Sequence, residues 1–61
     1  MYSFKDINEK KVIIPDDANV TVDDIKDIET KEITDYIVII DERPYSVTEG
    51  VYKAVIKEYN L

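Results

Sequence analysis

The side chains able to do chemistry in this chain are carboxylates, lysines and hydroxyls, because its 61 residues include no cysteine and no histidine. The commonest general base and the commonest zinc ligand are both missing, and with them any thiolate nucleophile or metal site. Nucleophilic catalysis by Ser, Thr or Lys needs an adjacent activating base. Ser3, Ser46 and the threonines instead fall in strand, cap and turn contexts. Paired carboxylates do acid–base work where burial in a cleft raises one pKa, and a chain this short has little volume for a cleft. A calcium loop needs carboxylates in a D-x-D-x-D-G pattern. Asp16-Asp17-Ala18-Asn19 and Asp23-Asp24-Ile25-Lys26-Asp27 lack that spacing, and the one glycine, Gly50, lies elsewhere. One glycine also leaves no phosphate-cradling loop. The expectation is a protein without catalytic residues, metal or cofactor.

The carboxylates that remain are unevenly distributed. Residues 16–35 hold eight acids, Asp16, Asp17, Asp23, Asp24, Asp27, Glu29, Glu32 and Asp35, against Lys26 and Lys31, a balance of −6. Six acids and six bases cancel over the rest of the chain, so this stretch carries the entire net charge. Such a field repels nucleic acid and anionic lipid, which excludes both as direct partners, and it favours a basic protein. The plain reading is a solvated face that keeps a small domain soluble. The sharper reading takes all eight acids as a recognition surface for a groove that otherwise binds nucleic acid. DNA presents one phosphate charge per ~1.7 Å of axis, and proteins line the matching groove with Lys and Arg. Burial of carboxylates there requires that the partner supply the opposing charges.

Folded elements must hold those acids in place. The length allows one domain, residues 1–61, and a domain this small buries only about 60% of the surface its unfolded chain exposes. A content of 44% hydrophobic residues, rich in Ile and Val and with five tyrosines, is that of a folded protein. The longest apolar run, Tyr36 to Ile40, is far short of the roughly 20 residues of a membrane span. No segment resembles a signal peptide, and the lack of cysteine suits a reducing cytoplasm.

Tyr2 and Phe4 alternate with Ser3 and Lys5, a strand period. Ile7 to Lys10 reads as a turn, with Asn8 as the residue that tolerates a left-handed backbone. Lys11 to Ile14 returns as a β-branched strand, and Pro15 ends it. Val20 to Ile28 admits two readings. Val20 and Val22 suit a strand, whereas Val22, Ile25 and Ile28 recur every three residues and place one face of a short helix near residues 22–28. Thr21 would cap that helix, with Asp23 and Asp24 in its first turn. The helix is the preferred reading, with Asp23, Asp24 and Asp27 on its outward arc. Glu29 to Asp35 reads as a polar loop. Tyr36 to Ile40 is continuous rather than alternating, the pattern of a central strand covered on both faces. Asp41 to Pro44 forms a turn, and Pro44 puts the following strand, Tyr45 to Val47, at an edge.

The chain ends in a helix from Glu49 to about Asn60. Thr48 as N-cap sets Val47 and Tyr52 as a hydrophobic staple, whereas a Ser46–Glu49 capping box would put Gly50 at the staple position. Val51, Tyr52, Val55, Ile56 and Tyr59 form its apolar stripe. The fold class is therefore α+β, a small antiparallel sheet of three to four strands with the C-terminal helix packed on one face. The tyrosines read chiefly as core packing.

The apolar strand, the turn and the run Pro44-Tyr45-Ser46-Val47-Thr48-Glu49-Gly50-Val51-Tyr52-Lys53 resemble segments of small accessory proteins of phages and mobile elements of Gram-positive bacteria. The resemblance covers residues 36–61 and carries over no functional residue. It implies an inhibitor of host defence, of the anti-CRISPR, anti-restriction or DNA-mimic type, acting in the host cytoplasm on a nucleic-acid-binding protein. The alternative is a structural or assembly module that self-associates, as a homodimer for instance, or docks in a larger complex through a sheet edge and its tyrosines.

Overall fold

The computed structural model describes all 61 residues. Five strands and one helix follow in the order β1 (Tyr2–Lys5), β2 (Lys11–Ile14), β3 (Val20–Lys26), β4 (Ile33–Ile40), β5 (Arg43–Val47) and α1 (Glu49–Tyr59). The class is α+β, as the pattern predicts, with antiparallel strands and the C-terminal helix on one face. The strands divide into two sheets, the hairpin β1-β2 and a three-stranded sheet β3-β4-β5 with β4 in the middle.

The β1-β2 register pairs Tyr2 with Ile14 and Phe4 with Val12. Those four side chains share one face, and Phe4, Val12 and Ile14 are buried. Asp6 builds the connecting turn. Its carboxylate accepts from the amides of Asn8 (2.8 Å) and Lys10 (3.0 Å). The left-handed residue is Glu9 (φ 63°), not Asn8. Asn8 can keep an ordinary backbone because the Asp6 side chain supplies the local hydrogen bonds that an Asn would otherwise provide.

The segment assigned above to a helix near residues 22–28 is a strand. Val20 pairs with Ile40 and Val22 with Val38, so the two β-branched residues lie against β-branched neighbours on the covered side of the sheet. A helix would have turned Ile25 and Ile28 inward with Val22. They are instead 47% and 93% exposed. The three-residue spacing is outweighed by cross-strand pairing with the apolar run of β4, which satisfies the β4-facing backbone groups of Val20–Lys26 and packs Val20 and Val22 against apolar partners. The strand β4 also starts earlier than expected, at Ile33, and takes Ile33 to Asp35 out of the loop. Asp41 and Glu42 alone make the next turn, both left-handed (φ 48° and 70°). This is the backbone a two-residue hairpin demands, and it is normally occupied by Asn-Gly or Asp-Gly. The strand β5 then forms the sheet edge, with Pro44 in it.

The helix is capped as expected. The Thr48 hydroxyl accepts from the amide of Val51 (3.4 Å). At the other end Asn60 is left-handed, and the Leu61 amide closes onto the Ile56 carbonyl (3.0 Å). One cluster holds the layers together: Phe4, Val12 and Ile14 of the hairpin, Val20, Val38, Ile40 and Val47 of the larger sheet, and Val55 of the helix. Around it, Val51, Tyr52 and Tyr59 pack inward, whereas Ile56 of the expected stripe, equally half-buried, does not pack against the cluster.

Two stability predictions follow from this packing. Val55 is fully buried, so Val55→Asp abolishes the cooperative melt, while Ile56→Asp costs about 1 kcal/mol, or roughly 4–8 °C of Tm. Glu42→Gly removes a left-handed penalty of ~1 kcal/mol and raises Tm, provided Asp41 is kept. Asp41 is tied to Asn19 by its amide (2.9 Å) and its carboxylate (3.0 Å). Thermal melts by circular dichroism read all three variants.

Candidate functional site

The acidic stretch folds mainly into the β3-β4 hairpin, whose long arms lie within a molecule measuring 38 × 23 × 19 Å. The arms pair from Val20↔Ile40 to Ile25↔Asp35, and a bulge follows between Ile25 and Lys26. Thr34 is the extra residue, and its hydroxyl donates to the Ile25 carbonyl (3.1 Å). The six-residue loop that joins the arms is closed by its own hydrogen bonds. The Asp27 amide donates to the Glu32 carbonyl (2.8 Å) and the Lys31 amide to the Asp27 carbonyl (2.8 Å). The Asp27 carboxylate accepts from the amides of Glu29 (2.8 Å) and Thr30 (3.4 Å). Lys31 completes the loop with a left-handed backbone (φ 61°).

Six of the eight predicted acids, Asp23, Asp24, Asp27, Glu29, Glu32 and Asp35, therefore belong to one hairpin, with Lys26 and Lys31 as its only bases. The hairpin does not present them as one array. Strand alternation sends Asp23 and Asp24 to opposite faces of the sheet, in place of the shared helical arc. Asp24 is half-buried opposite Tyr36 on the covered face, and Asp23 is exposed opposite Ile37 on the other. Asp35 is exposed opposite Ile25, on the same side as Asp23. Asp27, Glu29 and Glu32 are exposed in the loop, and Asp27 is engaged in holding it. Asp16 and Asp17 stand apart, in the turn before β3, where Asp16 pairs with the terminal ammonium of Met1.

The sequence reading missed a row of isoleucines. Every core residue of the larger sheet lies on one side of it, the side of Val20, Val38, Ile40 and Val47. The opposite side carries Thr21, Asp23 and Ile25 from β3, Asp35, Ile37 and Ile39 from β4, and Pro44 and Ser46 from β5. None of these packs against the core. Ile37 and Ile39 were expected to be covered on account of the continuous apolar run. They are half-buried only by their strand neighbours. The signal available beforehand was the D-x-I-x-I period of Asp35, Ile37 and Ile39, which alternates with Tyr36, Val38 and Ile40.

A second polar group lies on the covered side, at the start of α1. Lys53 bonds Glu49 (2.9 Å), and the Tyr36 hydroxyl donates to the other Glu49 oxygen (3.2 Å). The Lys53 hydrogen bond and charge hold the Glu49 carboxyl below its usual range, and the same contact raises Lys53. Tyr36 is raised by burial and by the adjacent Glu49 charge, and Tyr59 by burial. The depressed Glu49 favours the fold above the ordinary carboxylate range, and that contribution fades as pH falls through its folded pKa. This triad connects the sheet to the helix. The surface has no pocket, and no three acidic side chains converge as metal ligands would. No helix is long and apolar enough to cross a membrane.

No protein-family model, curated protein or solved structure matches the chain. The candidate site therefore rests on its own geometry.

Asp27→Ala removes the acceptor for two loop amides and costs about 1 kcal/mol locally. Hydrogen exchange should quicken at Glu29 and Thr30 and stay unchanged at Val38. Equal protection of both loop amides in the variant would show that the loop closes without the carboxylate.

Proposed function

We propose that the protein is a non-catalytic protein-binding module, a phage-encoded inhibitor that acts in the host cytoplasm on a basic nucleic-acid-processing or defence protein, in the manner of an anti-CRISPR or DNA-mimic protein. The observation that carries this reading is the β3-β4 hairpin, which collects six carboxylates against two lysines on an ordered, hydrogen-bonded scaffold. A scaffold that holds its charges in place loses little side-chain and loop entropy on binding. Charges of one sign steer a basic partner to it rapidly and in a salt-dependent manner. The strand form modifies the proposal. Asp23 and Asp35 face one way with the loop acids at their end, so the surface read by a partner is this side of the hairpin, and Asp16, Asp17 and Asp24 lie outside it.

The second reading, an assembly module, is favoured by the uncovered isoleucine face. The tyrosines do not favour it, since they meet partners within the chain: Tyr2 with Tyr59, Tyr45 with Phe4 and Tyr36 with Tyr52.

The test uses a partner captured from a Gram-positive lysate and purified. Binding should weaken steeply between low and physiological salt. The variant Asp23→Lys/Glu29→Lys/Asp35→Lys, which spares the loop-forming Asp27, should bind at least about tenfold more weakly, the scale of one or two lost charge pairs. If that variant melts like the parent and still binds and inhibits equally, the acidic surface is not what the partner reads.

A further inference from the structure

We propose that the open face of the β3-β4-β5 sheet docks a cationic amphipathic helix of the partner, with the helix's apolar side chains on Ile25, Ile37 and Ile39 and its lysines or arginines on Asp23 and Asp35. This rests on the protein-binding reading above and names the chemistry of the partner at that site.

The face combines isoleucines with two carboxylates, Asp35 in line with Ile37 and Ile39 on the middle strand and Asp23 on β3. Ile37 and Ile39 lie on the middle strand, Ile25 stands on β3 beside Asp35 and diagonal to Ile37, and exposed Pro44 stands on β5 beside Ile39. Asp23 pairs with Ile37 and Asp35 with Ile25, so each carboxylate stands directly beside an isoleucine. No lysine or arginine occupies any paired position on this side between Thr21 and Ile25, Asp35 and Ile39, or Pro44 and Ser46. An apolar row with carboxylates beside it and no cation fits an apolar stripe flanked by cations.

The spacing selects a helix. Alternate residues on a strand lie about 6.6 Å apart, and residues i and i+4 of a helix about 6 Å apart along its axis. A helix laid along β4 thus sets successive apolar side chains over Ile37 and Ile39, and its neighbouring positions reach toward the flanking strands. The opposite face of the same sheet is already covered in part by the helix α1, whose Val55 is fully buried there.

A second copy of the chain is the competing occupant. Face-to-face pairing would bring Asp23 and Asp35 of both copies into one apolar interface without a cation on either side. Unpaired carboxylates buried in this way oppose association, and each copy brings a net charge of −6. Charge complementarity therefore favours the basic helix.

The experiment uses the full chain and two synthetic peptides. One is a Leu/Lys amphipathic helix, and the other is the same peptide with every leucine replaced by serine. Amide shifts in titrations with the Leu/Lys peptide should map to Ile25, Ile37 and Ile39, and Ile37→Thr/Ile39→Thr should weaken binding by about tenfold or more, the loss expected on removing an apolar hot spot. Threonine keeps the β-branched shape of the strand, and an unchanged melt shows that the fold survives. Asp23→Asn/Asp35→Asn should weaken the same peptide and flatten its salt dependence. If the Ser/Lys peptide binds as tightly as the Leu/Lys peptide, and charge reversal of the hairpin abolishes both, the helix-docking inference is overturned while the acidic-surface reading stands. If neither peptide binds at moderate salt, both fall. If the wild type sediments as a dimer that Ile37→Thr/Ile39→Thr dissociates, the occupant is a second copy and the inference is overturned.

Discussion

Everything in this structure follows from a shortage of covering material. A three-stranded sheet has two faces, and the remainder of the chain amounts to one short hairpin and one 11-residue helix. Both go to the same side. The result is a single cluster of eight buried residues, all aliphatic but for Phe4. With no cysteine in the chain, no disulfide constrains the unfolded state, so packing on that one face supplies most of the cohesion. The opposite face is left to solvent or to a partner by the same arithmetic of surface and volume.

Three aromatic pairs show how the thin core is reinforced. Tyr2 meets Tyr59 edge-on at 6.1 Å and ties the hairpin to the helix. Phe4 meets Tyr45 at 6.5 Å and ties the hairpin to β5. Tyr36 and Tyr52, at 4.8 Å, tie β4 to the helix. Each pair contributes about 0.5–1.5 kcal/mol beyond the area it buries, and each joins elements that no backbone ladder connects. The amide of Ile7, which donates to the Ser46 carbonyl (3.1 Å), adds one hydrogen bond between the hairpin turn and β5. Tyr2, Tyr36, Tyr45, Tyr52 and Tyr59 are half-buried and pack against the core cluster.

The legible parts of the fold were those whose determinants are local. Thr48 as N-cap, the helix it starts, the alternation in β1 and the edge position of the Pro44 strand all depend on residues close in sequence, and the structure agrees with them. The segment from Val20 to Ile28 was not legible in that way. Its local pattern admits a helix, and what decides against it is pairing with Tyr36 to Ile40, more than ten residues away. The same non-local fact governs the candidate site. The acids were evident as a charge run, but whether Asp23 and Asp24 share a surface depends on helix or strand, and the strand separates them. The continuous run of β4 suggested cover on both faces. Such a run states that a strand can be buried twice, whereas the number of other elements decides whether it is.

The open face also resolves an apparent conflict between the two uses of the acidic stretch. A row of isoleucines not covered by another element, with β3 as a free edge, invites self-association and aggregation. Asp23 beside Ile37 and Asp35 beside Ile25 make a face-to-face contact between copies bring carboxylates into the same interface. Against a cationic surface the same two residues would meet opposing charges, which offset the cost of taking them out of water. Under the proposed reading, solubility and selectivity are one property of the face: carboxylates that repel a second copy are the feature a basic partner would complement. A purely solvating role would be served equally by acids on either side of the sheet. Asp23 and Asp35 stand against isoleucines of the open face rather than among the polar residues of the hairpin loop, and it is this placement that the proposed basic partner would answer.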